Sequence, residues 1–486
     1  MRWTDLGVIV VYLAGITWFG TRFKESQKTL KDYFLGGRTA PWWAIALSIV
    51  SAETSTLTVI GTPALSFQGN FGFLQVVFGY LLARIVIASL FLPAYFRGEM
   101  YTAYELMRIR FGPRIRKMTA GTFLVLRALA EGVRVFAISI VISIILGTGE
   151  MTSIVVIVCL TLVYTYEGGL TAVIWTDVVQ MILYVIGAAL SFYILIHTIN
   201  GGWAHVAALA EPLHKFQVFD FRLGPPAVFF TRTYSFWAGL IGGCFLTTAS
   251  HGTEQLMVQR LLAAPTEGQS RAALFASWAV ILVQFTLFLV IGVCLFTLYS
   301  DNGWQTPKVT DQIYPLFIWQ HLPVGIAGLV IAAILAAAMS NLSAALNSLA
   351  STTVMDFWKP FAPTETNDSL WLTRARYATV LWGAILFGVA LIARHWGSVL
   401  QAGLSIASII YGSLLGVFLL GLLTKRVQEN AAMIAMGVGL ALMLYIRFFT
   451  PIAWTWYVLI GSSATFATGL AASFLLREKS SANELV

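Results

Sequence analysis

The residues from Ser48 to Thr56 put five hydroxyls (Ser48, Ser51, Thr54, Ser55, Thr56) and the carboxylate of Glu53 into nine positions. They sit inside a stretch, from about Pro41 to Phe67, that holds no Lys or Arg and is apolar enough to cross a bilayer. Gly61 and Pro63 follow within two turns. In hydrocarbon no backbone group can stay unpaired, so an interrupted helix survives only where it lines a protein-buried cavity. An ionisable residue at that depth marks a functional site. Two readings are open. The hydroxyls can bond back to their own helix and merely kink it, or a true break can offer freed carbonyls and hydroxyls to a cation and a solute. A second stretch, 234–263, favours the break: Gly239, Gly242 and Gly243 precede Thr247-Thr248-Ala249-Ser250-His251-Gly252-Thr253-Glu254-Gln255.

Three further constellations carry polar groups into apolar sequence. In 320–357, Ser340, Ser343, Asn347 and Ser351 fall within an arc of about 80° of a helix. They make either a packing seam of small hydroxylated residues or a row of oxygen ligands for a hard cation. Asp177, within Gly168–Gln180, lies about 10 Å from one membrane face by helix rise and reads as an interfacial acid or a cation ligand. Arg127, Glu131 and Arg134 share one face at i, i+4 and i+7. Glu131 can neutralise one arginine, which leaves the other for an anion or for a structural pair elsewhere. No Gly-x-Ser-x-Gly elbow, His-Glu-x-x-His pair or phosphate loop is present, so the sequence does not read as an enzyme.

Composition sets the frame that must hold these groups. The 486 residues are 58% hydrophobic and 11% charged, with a mean hydropathy of +0.80. Soluble domains carry about a quarter charged residues, so this is an integral membrane protein with hardly any soluble part. Apolar stretches at about 4–22, 41–67, 71–96, 117–147, 150–166, 170–198, 234–263, 270–299, 320–357, 371–394, 398–423, 428–449 and 452–476 predict thirteen spans. Residues 5–20 lack a small-residue cleavage site and read as a retained first span.

Cys159, Cys244 and Cys294 lie in apolar spans without metal-ligand spacing and read as small core residues. The net charge of +8 is not a nucleic-acid patch. Its basic residues gather in alternate short loops, from Lys24–Arg38 and Arg97–Lys117 to Lys425-Arg426 and Arg477–Lys479. That alternation places the N-terminus outside and the C-terminus in the cytoplasm of a plasma membrane, in a bacterium the inner membrane. Residues 200–233 form the one long external segment and read as a short cap. The second broken stretch opens five spans after the first, and an odd offset inverts the second unit, the inverted-repeat pattern of secondary transporters.

The chain resembles the sodium:solute symporter family of sodium-coupled sugar, proline, sialic acid and monocarboxylate carriers. The resemblance is carried by Asp32-Tyr33-Phe34-Leu35-Gly36-Gly37-Arg38, the Gly168–Gln180 run, Gln255–Leu262 and Ala337–Ser348. It implies an all-α leucine-transporter-type fold with a ten-helix core of two inverted five-helix repeats over 41–423. Residues 1–40 then form an extra helix and loop, and 424–486 two additional helices and a tail. It also implies Na⁺ as the co-transported ion, held by Leu47, Val50, Ala337, Ser340 and Asn341. The family has Ser or Thr where Asn341 stands. A second Na⁺ site would use Asp177 and Ser343, and Ala344 lacks the hydroxyl that would complete it.

For the solute, the resemblance together with the cavity-facing stretches names Ser51, Glu53, Thr54, Phe71, Gln75, Arg127, Arg134, Thr247, His251, Gln255, Gln401 and Tyr411. The expected function is Na⁺-driven import of a small polar solute, a carboxylate-bearing sugar acid or organic acid before a neutral sugar or polyol. The partners are then that solute, Na⁺ and membrane lipid, with no nucleic acid and no obligate protein. Proton coupling through Glu53 or Asp177, and an uncoupled channel or sensor on the same scaffold, remain as alternatives.

Overall fold

The computed structural model describes residues 3–23, 29–54, 56–97, 100–146, 150–307, 310–362, 367–393 and 399–476. These residues contain helices and no β-strand. Backbone that must satisfy itself away from water has little choice, and each apolar stretch closes its own i→i−4 bonds.

Nine helices among the described residues are long and apolar enough to cross a membrane, or ten if one bent pair counts as a span. Thirteen are expected, and with the bent pair counted as one span three stretches account for the difference. The 117–147 stretch is helical within Pro113–Leu146 but carries Arg127, Glu131 and Arg134. The 234–263 stretch is cut into Phe236–Gly252 and Gln255–Leu262. The 150–166 and 170–198 stretches join into one 49-residue helix, Glu150–Thr198, of which Leu170–Thr198 qualifies.

Both expected breaks are present. Trp42–Glu53 and the following helix meet at 62°, with Thr54 extended at the end of the first. In the second broken stretch the extended residue is Glu254, at φ −86° and ψ 129°. The half-helix Trp42–Glu53 packs against Glu150–Thr198, Glu267–Asn302 and Ile326–Thr352. Phe236–Gly252 lies along Leu74–Val86 with backbones almost touching, because a side chain at Gly243 would meet the Val76 carbonyl oxygen at 2.4 Å. Small residues allow such an approach between membrane helices.

The Asp32–Arg38 run is a short capped helix followed by a turn. Thr29 and Asp32 form a reciprocal cap, and Gly36 takes φ 55° where it sits on Thr171. The 200–233 segment holds the short helix Gly202–Ala210 and ties back onto the first broken stretch and the helix after it. Its Lys215 Nζ donates to the Phe67 carbonyl at 2.6 Å, and the Asp220 amide donates to Gln75 Oε1 at 3.0 Å. All three cysteines are free, but Cys294 alone is buried and Cys159 is exposed, so the reading of all three as core holds for one.

Candidate functional site

Asp177, Ser48, Ser51 and Ser340 are fully or almost fully buried and form one cluster. Ser48 Oγ donates to Asp177 Oδ2 and Ser340 Oγ donates to Asp177 Oδ1, each at 2.5 Å. Ser51 Oγ lies 2.8 Å from Ser340 Oγ. Asp177 is therefore no interfacial acid. Arg260 closes the cluster from the second broken stretch, with Nη2 on Asp177 Oδ2 at 2.9 Å and Nε on Ser48 Oγ at 2.8 Å. A buried carboxylate without such a partner would cost several kcal/mol.

Next to this cluster the amide of Asn341 donates to the carbonyls of Ser51 at 3.1 Å and Thr54 at 3.0 Å. Of the other expected sodium ligands, Leu47 is half-buried. The Val50 carbonyl accepts the Thr54 amide at 2.8 Å. Ser343 Oγ accepts from Thr165 at 3.0 Å. The side chain of Ala337 lies outside the described residues.

A cavity of about 130 Å³ opens between the two breaks. Its wall includes Glu53, Arg127, Arg134, Thr247, His251 and Tyr411 of the residues expected to meet a solute. Others are turned elsewhere. Ser51 joins the Asp177 cluster, and Thr54 Oγ1 accepts from Gln284 at 2.8 Å. Phe71 packs edge-on against Phe216. Gln75 is spent on Gly72, Tyr234 and Asp220. Gln255 is spent on Ala103 and Tyr101. The side chain of Gln401 lies outside the described residues.

Of the two readings of the arginine that Glu131 leaves over, the structure takes the structural pair. Glu254, unassigned from the sequence, accepts from Arg127 Nη1 at 3.0 Å and from the Tyr411 hydroxyl. Glu131 Oε2 meets both Arg127 Nη2 at 2.9 Å and Arg134 Nη1 at 3.2 Å. Glu53 pairs with Arg84 at 2.9 Å, and His251 Nε2 lies 3.2 Å from the same oxygen. Arg84, Arg127 and Arg134 are thus matched by Glu53, Glu131 and Glu254, and the formal charges cancel. Arg84 and Glu254 were legible as isolated charges in apolar sequence, which is a site signal in itself.

Residues 33–439 match the sodium:solute symporter family. The chain is similar to a sodium/sialic acid symporter of Proteus mirabilis, 27% identical over 480 residues that cover 96% of this chain and 94% of that one. It is also similar to sodium-coupled monocarboxylate transporter 1 of Xenopus laevis, 30% identical over 427 residues, 86% of this chain and 67% of that one. The substrate-bound outward-open structure of a Na⁺-coupled sialic acid symporter superposes with a TM-score of 0.89 at 26% identity, covering 97% of this chain and 98% of that one.

Proposed function

We propose that this chain, which belongs to the sodium:solute symporter family, couples Na⁺ movement to the uptake of a small organic anion bearing a carboxylate. It is a Na⁺-coupled transporter and not an enzyme, with Na⁺ as cargo. The anion is the finer step, and Arg134 carries it. This guanidinium lines the cavity, and the Glu131 oxygen that it bonds is already bonded by Arg127. An arginine that shares its carboxylate partner with a second arginine, and lines a pocket, is the group to take a substrate carboxylate by two parallel bonds. Charge balance supports the same reading: the ion pairs around the cavity cancel, so Na⁺ brings one uncompensated charge and a monoanion cancels it. The relatives named for sialic acid and monocarboxylates carry anions.

In this reading Na⁺ is held between the first break and the Ile326–Thr352 helix by Leu47, Val50, Ala337, Ser340 and Asn341. Binding there favours the outward-open state and completes the solute pocket, since a ligand shifts such an equilibrium only by its differential affinity. Residues 41–423 are the inverted-repeat core. The loop charges support an outside N-terminus and a cytoplasmic C-terminus in a bacterial inner membrane. One observation favours a second reading, a neutral sugar or polyol: the ring of ion pairs is already complete without a solute charge.

Uptake into proteoliposomes under an imposed Na⁺ gradient decides between them. Sialic acid, lactate and glucose serve as the solutes. Arg134→Lys keeps the charge and loses the fork, so it should weaken an acid substrate tenfold or more and leave Na⁺ affinity unchanged. Transport of the neutral sugar, at the same rate in this variant, would overturn the anion reading.

A further inference from the structure

Where the Trp42–Glu53 helix stops, its last carbonyls lose their partners in the same helix. The Val50 carbonyl is taken by the Thr54 amide. The carbonyls of Ser51 and Thr54 are taken by the two hydrogens of a single side-chain amide, that of Asn341, at 3.1 and 3.0 Å. Carbonyl oxygens only accept, so the nitrogen of Asn341 must face them. Its neighbour Ser340 holds the Ser51 hydroxyl at 2.8 Å. Two successive residues of the Ile326–Thr352 helix therefore grip Ser51 by side chain and by backbone. All of these residues are buried.

We infer that Asn341 is a built-in stand-in for a bound cation: its amide ties the broken helix to the Ile326–Thr352 helix through the carbonyls of Ser51 and Thr54. A cation at such a break draws carbonyl oxygens of one element toward ligands on another. The amide does this with two hydrogen bonds whose donors belong to the chain itself. The consequence is a specificity-determining residue for coupling. The part of the closure that Asn341 supplies cannot depend on Na⁺, because a ligand alters an equilibrium only through contacts that differ between states. The break in this chain is thus preordered, and Na⁺ adds to a contact already made. The inference rests on the reading that Na⁺ binds beside the first break, and it is independent of which solute is carried.

Hydrogen exchange of backbone amides in peptides that cover the first break, on the purified full chain with NaCl or choline chloride and no solute, tests it. In the wild type, Na⁺ should change the exchange rate less than twofold. Asn341→Asp has the same shape but no donors, and Asn341→Ser shortens the side chain. Both should exchange at least tenfold faster without Na⁺ and recover when Na⁺ is added. Tenfold or greater Na⁺ protection in the wild type overturns the inference, as does full protection of both variants in choline. Faster exchange that Na⁺ does not restore leaves the amide tie standing and removes the sodium site from the break. The solute reading stands or falls separately, in the uptake of acids by Arg134→Lys.

Discussion

The hydroxyl of Ser340 touches two oxygens, Asp177 Oδ1 at 2.5 Å and Ser51 Oγ at 2.8 Å. That makes it the meeting point of three elements: the first broken helix, the long Glu150–Thr198 helix and Ile326–Thr352. Ser340→Ala removes one oxygen from a buried site, where an unmet polar partner costs about 1–3 kcal/mol. The Na⁺ concentration for half-maximal uptake should rise at least tenfold. A variant that loses thermal stability while its Na⁺ dependence stays unchanged would make Ser340 structural only. Ser51, Ser340 and Asp177 are legible in the sequence because hydroxyls and a carboxylate stand out against an apolar run. Their partners are less so. Arg84 lies 31 residues from Glu53, and Arg127 lies 127 from Glu254. An isolated charge says that a partner exists, and only the fold says which one it is.

At the scale of the element, the second broken helix is placed by its glycines. Phe236–Gly252 reaches the Leu74–Val86 backbone because Gly239 and Gly243 present no side chain to it, and Gly79 answers from the other side. A methyl at Gly243 would stand 2.4 Å from the Val76 carbonyl oxygen, an atom that cannot swing aside. Gly243→Ala should therefore destabilise by about 1–3 kcal/mol as the helices are forced apart. Gly437, in Glu429–Phe449, has open space around its position. Gly437→Ala should be neutral or stabilise by up to about 1 kcal/mol, because alanine removes backbone freedom from the unfolded chain. Thermal unfolding in detergent compares the two, and equal midpoints would show that the close approach is not obligatory. Both breaks were legible from Gly, Pro and hydroxyl content. The joining of 150–166 to 170–198 was not, since Gly168-Gly169 reads as a boundary while the helix continues through it.

For the whole molecule, the question is how much charge crosses the membrane in one cycle. Around the cavity three arginines face three glutamates, and Asp177 is held by Arg260 at 2.9 Å. The unloaded carrier then has no net charge in its site to move through the field. Asp177 also has little to offer a second ion while a guanidinium occupies it, and Ala344 brings no hydroxyl. One Na⁺ with one monocarboxylate makes a neutral load, so a potassium diffusion potential should leave the uptake of a monoacid unchanged. A neutral solute with one Na⁺ would move one charge. At 100 mV that is worth about 2.3 kcal/mol, or roughly fiftyfold in accumulation. The Hill coefficient for Na⁺ should be one in the wild type and one in Asp177→Asn. A coefficient near two that falls to one in that variant would put a second ion on Asp177, and Arg260 would have to move away to admit it.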